Sequence, residues 1–199
     1  MGATESDSTD SEEIVASLAN PERFGIVAER HFAEVFRYLS RRVGRDVAQD
    51  LGADTFVVAF NARARYDRSR ADARPWLYGI ATNLIRRHRR NELRMLSAYA
   101  RSALANRSEE TTDGLATHLD HVASLARVAT AFAQLDPDQR DALYLTAIEG
   151  LGFSEVAEAL AIPVGTVHSR VARARANLRD LAGYIGQEGT EDTITARES

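Results

Sequence analysis

Apolar residues recur at three- and four-residue spacing along most of the chain, the pattern of helices that bury one side. From residue 22, Phe24, Val27, Ala28, His31, Phe32, Val35, Phe36 and Leu39 keep this spacing until Gly44 interrupts it, which predicts one long amphipathic helix. Asp46 and Gln49 stand as in a capping box and predict a second helix to about Arg65, with Gly52 marking a close approach. After the polar loop "DRSRAD", residues 67–72, Pro75 opens a third helix that directs Leu77, Ile80, Ala81 and Leu84 inward. Residues 105–114, "ANRSEETTDG", are polar and acidic and read as a linker. Leu119, Val122, Leu125, Ala126 and Ala129 then resume the helical pattern. Asp136, Pro137 and Gln139 repeat the start signal for a helix that Gly150 and Gly152 end. Nothing suggests strands, so the expected fold class is all-α: two small helical domains joined by a flexible linker.

Residues 153–178 hold the most specific local pattern. Ser154 is the expected cap of a short helix, "EVAEALA", whose Val156 and Leu160 point inward and whose Ala157 permits close packing. "IPVG" turns the chain into a second helix, on which Val167, Val171, Ala174 and Leu178 form one apolar stripe. Thr166, Ser169, Arg170, Arg173 and Asn177 share a neighbouring side, with His168, Arg175 and Arg179 further round. A short helix, a tight turn and a helix with a basic polar face make a helix-turn-helix, whose second helix enters the major groove N-terminus first. Its short hydroxyls and long guanidiniums suit phosphate oxygens and base edges. An ordinary helical hairpin with a solvated face is the plainer alternative.

Composition narrows the function. No cysteine is present, which excludes a disulfide framework, a thiolate nucleophile and a cysteine metal site. No apolar run approaches the roughly 18 residues of a membrane span. The acidic "MGATESDSTDSEE" start lacks the basic and apolar regions of a signal peptide, so a cytoplasmic address is expected. The formal net charge is −4, but residues 61–101 carry eleven arginines against Asp67, Asp72 and Glu92, a local excess of +8. A mildly acidic total thus conceals a basic segment fit for nucleic acid. All 25 basic residues are arginine. His118 and His121 alone among the histidines stand close in sequence, and no glycine-rich phosphate loop, nucleophile elbow or metalloprotease motif occurs. No enzyme activity, cofactor or metal is expected.

The stretch "LDPDQRDALYLTAIEGLGFSEVAEALAIPVGTVHSRVARARANL" closely resembles the minus-35-binding domain of bacterial sigma factors, particularly the extracytoplasmic-function (ECF) branch. "AQDLGADTFVVAF" resembles the ECF segment that docks on RNA polymerase, and "ARPWLYGIATNLIRRHRR" the segment that recognises and opens the minus-10 element. Ala53 stands where the family usually has glutamine, and "NLIRRHRR" lacks the aspartate that commonly precedes the arginines. The resemblance implies a region 2-like domain over 21–100 and a region 4-like helix-turn-helix domain over 119–182, and composition adds a linker over 101–118, a disordered acidic N-terminus over 1–20 and, with too little apolar surface to fold, a disordered tail over 183–199. The resemblance implies a sigma factor that binds core RNA polymerase, recognises both promoter elements and nucleates melting.

Site residues follow from both arguments. The expected minus-35 contacts are Thr166, His168, Ser169, Arg170, Arg173 and Asn177. Melting needs aromatic or amide groups for unstacked bases and cations for the backbone; Tyr66, Trp76, Tyr78, Asn83, Arg86, Arg87 and Arg90 supply them. Trp76, beside Leu77, suits a core role equally well. Polymerase contact by Asp50, Leu51, Asp54 and Phe56 is implied by the resemblance. The implied partners are core RNA polymerase and promoter DNA, duplex at minus-35 and single-stranded at minus-10, with no membrane; the family also leaves room for an anti-sigma factor. A conventional helix-turn-helix repressor or activator is the alternative, and a helical adaptor would need neither arginine cluster.

Overall fold

The computed structural model describes residues 8–105, 132 and 134–195, with side chains through residue 95 in the first part and through residue 180 in the second. The expected helix over 119–129, the acidic linker after 105 and the His118–His121 pair lie outside the described residues. Two compact units form, dividing near residue 106. Helices account for all the regular structure among the described residues, as the periodicity predicts.

The first unit contains α1 (Asp10–Ala16), α2 (Phe24–Val43), α3 (Arg45–Ala62) and α4 (Arg74–Ala105). Its core is Ile14 of α1, Phe24, Val27, Val35, Tyr38 and Leu39 of α2, Ala48, Leu51 and Ala59 of α3, and Leu77, Tyr78, Ala81 and Ile85 of α4. The α2 stripe is therefore centred one position from where apolar spacing places it: Tyr38 is fully buried while Phe32 is 46 % exposed. Tyr38 earns its place because its hydroxyl pairs with Thr82 Oγ1 at 2.7 Å and receives Arg42 Nη1 at 3.1 Å, so no polar atom of the ring is stranded.

Gly44 separates α2 from α3 with φ 82°, a left-handed conformation suited to glycine. It serves as the cap of both helices, and α3 starts at Arg45 without a side-chain cap; the capping box expected of Asp46 and Gln49 does not form. Gly52 faces Phe36 and Leu39, where an added Cβ would sit 3.8 and 3.9 Å from their side chains, an ordinary packing distance rather than a forced approach.

Disorder is expected over residues 1–20, yet α1 is a complete short helix. Thr9 caps it and Glu12 completes the capping box, while Ile14 and Ser17 are buried. At the other end of the chain, the expected disordered tail from residue 183 is instead the end of a helix that runs to Thr195. Helix α4 likewise extends to Ala105, past the expected linker start at 101. No proline falls inside either extension, so every backbone N–H remains available to the helical ladder, although Gly183, Gly186 and Gly189 weaken the second one.

The second unit contains α5 (Pro137–Ala147), α6 (Phe153–Leu160) and α7 (Val164–Thr195). Asp136 caps α5 by accepting from the N–H groups of Asp138 and Gln139, as its position predicts. Ser154 does not cap α6. Instead Glu155 reaches back to accept from the Gly152 N–H at 2.6 Å, the acidic half of a capping box with glycine at the cap. Leu145, Val156, Val167, Val171 and Ala174 close the core, as the stripe on the last helix predicts, while its fourth member, Leu178, is only half-buried.

The α6–α7 turn is made by Ala161 at φ 52°, with the Ile162 N–H donating to the Ala157 carbonyl at 3.0 Å, the longer closing bond of a Schellman-type end. A side chain in this conformation is strained. Ala161→Gly should stabilise the second unit by about 0.5–1 kcal/mol, read as a higher calorimetric melting midpoint; an unchanged or lower midpoint would contradict the strain.

Candidate nucleic-acid and partner interfaces

On α7 the buried stripe leaves an outward arc formed by Gly165, Thr166, Ser169, Ala172, Arg173 and Ala176. Small residues dominate this arc, so the helix could approach another surface closely. The polar residues expected on it fall into distinct groups. Arg173 is exposed. Arg170 is turned towards α5, where Nη2 lies 2.6 Å from Asp138 Oδ2, and Asn177 donates to Gln139 Oε1 at 3.1 Å. Gln139 therefore faces α7 rather than completing a capping box. His168 lies on the opposite flank, its ring stacked on Phe153 at 4.1 Å. Ser169 Oγ donates to the Thr166 carbonyl, and the Thr166 N–H closes the turn on Pro163. Asp138 and Phe153 are neighbours that periodicity alone does not identify, because they belong to other helices.

On α4 the candidates separate by burial. Asn83, Arg87 and Arg90 are exposed, Trp76 and Arg86 half-buried. Tyr78 is a correction: it is 1 % exposed, its ring edge-on to Tyr38 at 5.0 Å, and belongs to the core. Tyr66 is corrected in the same way. Its ring rests against Trp76 at 5.0 Å, and its hydroxyl donates to the carbonyls of Arg70 and Asp72, so it braces the 67–72 loop from within. Burial and the nearby Asp10 carboxylate push the Tyr66 hydroxyl well above the usual phenol range, which keeps it a donor. Arg89, a further cation of the same run, anchors α4 by donating to the Arg42 carbonyl at 3.0 Å.

On α3, Asp50 and Asp54 are exposed and Phe56 is half-buried against Phe32 at 5.8 Å. Leu51 is a further correction, since it is buried in the core of the first unit and is unavailable for contact with a partner. Val57 and Val58, one turn on from Asp54, are exposed apolar side chains, and Phe32 is exposed on α2 beside Phe56.

One cluster has no counterpart in the sequence reading. The ligating atoms of Asp10, His31 and Asp72 lie within 4.8 Å of one another. Asp10 is already fully engaged: Oδ1 receives Arg30 Nη1 at 3.1 Å, while Oδ2 lies 2.6 Å from His31 Nε2 and receives the Ala73 N–H at 2.9 Å. Its charge is thus met by a cation and by the backbone at the start of α4. Burial works to raise its pKa, but the bonds from His31, Ala73 and Arg30 outweigh it and hold the carboxyl at about 2, below its ordinary 3.8. A depressed carboxylate stabilises the fold fully above about pH 4, and that contribution disappears as pH falls through about 2. Acidification across this window should cost about 1–2 kcal/mol, read as a fall in the urea midpoint that Asp10→Asn abolishes; equal acid sensitivity in both proteins would contradict it.

The fold and these faces define the class: an all-helical protein of two units, the second a helix-turn-helix. Comparison with known proteins is specific. The sigma-70 region 2 family model matches residues 27–95 and the sigma-70 region 4 model residues 125–178. The chain is 36 % identical over 142 residues to the ECF RNA polymerase sigma factor SigC of Mycobacterium tuberculosis, covering 71 % of this chain and 74 % of that protein. It is 32 % identical to the RNA polymerase sigma factor CnrH of Cupriavidus metallidurans, over 86 % of this chain and 94 % of CnrH. The solved structure of CnrH with the cytosolic domain of CnrY superposes with a TM-score of 0.59 at 27 % identity, covering 88 % of this chain and 97 % of that one. The chain belongs to the ECF branch of the sigma-70 family, the factors that serve RNA polymerase in transcription initiation. Among the described residues, no helix is long and apolar enough to cross a membrane.

Proposed function

We propose that this sigma factor binds core RNA polymerase, sets α7 against duplex minus-35 DNA, and captures the non-template minus-10 strand with α4 and its preceding loop, nucleating melting without catalysing a reaction. The observation that carries this reading is the polarity of α7. Val167, Val171 and Ala174 anchor one side in the core, and the opposite arc combines small residues with the exposed Arg173. A helix so anchored presents its first two turns to a groove. The exposed Asn83, Arg87 and Arg90 of α4 supply an amide for bases and cations for a strand backbone.

Core polymerase would dock on the exposed face of α3, which carries Asp50 and Asp54 together with the exposed Val57 and Val58. Acidic groups around apolar surface suit a partner with basic rims. Asp54→Arg should lower co-elution with core polymerase by about tenfold, the scale of one misplaced interface charge; normal holoenzyme assembly would remove Asp54 from the surface. CnrH was solved with the cytosolic domain of CnrY, and a bound protein partner for this chain, an anti-sigma factor, is part of the proposal.

The deciding experiment is transcription in vitro with purified core polymerase on genomic DNA, followed by mapping of start sites. Initiation at a shared pair of upstream elements supports the reading. Core polymerase that ignores the added chain overturns it.

A further inference from the structure

The N-terminal helix does more than cover the first unit, because two of its polar contacts reach one loop. Asp10 accepts from the Ala73 N–H at 2.9 Å, and the adjacent Ser11 Oγ donates to the Arg68 carbonyl at 3.0 Å. These two bonds hold both ends of the 67–72 loop, whose side chains are all exposed and include Arg68 and Arg70. The loop is also held from inside. Tyr66 bonds the carbonyls of Arg70 and Asp72, Asp67 Oδ1 accepts from the Ser69 N–H and Oγ, and Asp72 Oδ1 accepts from the Arg74 N–H. Helix α1 is in turn fixed to α2 by Asp10 with Arg30 and His31, and to the segment before α2 by Glu13 with Arg23 at 2.7 Å.

The one apolar residue of this six-residue loop, Ala71, is exposed and anchors nothing, so the loop's conformation depends on where its polar bonds go. We propose that α1 is a positioning element for the minus-10 strand: through Asp10 and Ser11 it presets the 67–73 backbone so that the loop meets unstacked bases without an ordering cost. A loop already in its bound conformation binds more tightly and discriminates more sharply than one that must be ordered on contact. The inference rests on the minus-10 reading above and assigns a role in it to residues outside the DNA-facing helix.

The test uses holoenzyme assembled from core polymerase and the full chain, as wild type, Ser11→Ala or Asp10→Asn. Ser11→Ala removes only the bond to Arg68. Asp10→Asn retains an acceptor for the Ala73 N–H but loses the charge that holds Arg30 and His31, so neither variant opens a core cavity. Non-template single strands are selected on wild-type holoenzyme from a randomised oligonucleotide pool and then measured against all three proteins. The expected result in either variant is faster hydrogen exchange at the 68–74 amides, a flatter base preference and an affinity lower by about three- to tenfold, the factor equivalent to one hydrogen bond. Binding of minus-35 duplex by α7 is expected to hold. Unchanged strand affinity and base preference in both variants overturn the brace and leave the minus-10 reading standing. A wild-type holoenzyme that selects no strand overturns that reading, and the brace falls with it.

Discussion

Tyr78→Ala should cost the first unit about 3–5 kcal/mol of stability, the range for removing a fully buried aromatic ring. The ring lies edge-on to Tyr38, and Tyr38 in turn bonds Thr82 on the same helix as Tyr78. Removing it therefore leaves a cavity at the α2–α4 seam and loosens a buried polar pair. Small domains are stable by only about 5–15 kcal/mol, so much of the margin would be lost. The only tryptophan of the chain, Trp76, belongs to this unit, so its fluorescence during urea unfolding reports the effect directly. Tyr78→Phe keeps the ring and loses only the hydroxyl's bond with Arg74, so it should cost less than Tyr78→Ala, about 1–2 kcal/mol. The alternative reading, a stacking platform for a flipped base, makes the opposite forecast: unaltered stability with lost strand binding. That combination would return Tyr78 to the interface.

Arg173→Ala should weaken binding of a minus-35 duplex by about 1–3 kcal/mol if the guanidinium contacts a base. Its neighbours give the comparison. Arg170 is ion-paired with Asp138 and Asn177 is bonded to Gln139, so both must give up a partner before reaching DNA. Arg173 is exposed, and among the described residues it has no such partner to give up. The loss at Arg170→Ala should accordingly be smaller, because a partly exposed ion pair is worth at most about 1 kcal/mol and DNA contact there only replaces it. Titration of promoter duplexes by anisotropy separates two modes. A base contact relaxes preference at one position, whereas a phosphate contact weakens all sequences alike and lowers the salt slope by about one. Affinity untouched at every sequence would take Arg173 out of the site.

The periodic signals were strong where a single helix decides its own inner face. Val167, Val171 and Ala174 are buried as their spacing demands, and Asp136 caps α5 because the acceptor and its N–H donors are within three residues of each other. The same signals failed where a helix is covered on more than one side. Helix α4 meets both α2 and α3, so its buried arc widens to include Tyr78, and Leu51 is enclosed by the packing of α3 on its neighbours. Polar residues that look apt for contact, or apolar ones that look apt for a partner, are then consumed by the core.

Helix periodicity, the helix-turn-helix and its sigma-factor character were all decided by neighbours a few residues apart, and the amino-acid sequence alone determined them. Tertiary structure decided which arginines stand open and which are paired, since Asp138 meets Arg170 from 32 residues away. It also decided that an acidic N-terminal stretch becomes α1, because Asp10 finds Arg30, His31 and the Ala73 N–H at separations of 20, 21 and 63 residues. The physical reason is range. Local order follows from backbone hydrogen bonds and side-chain spacing, whereas the pairing of a charge depends on which distant surface the packing brings to it.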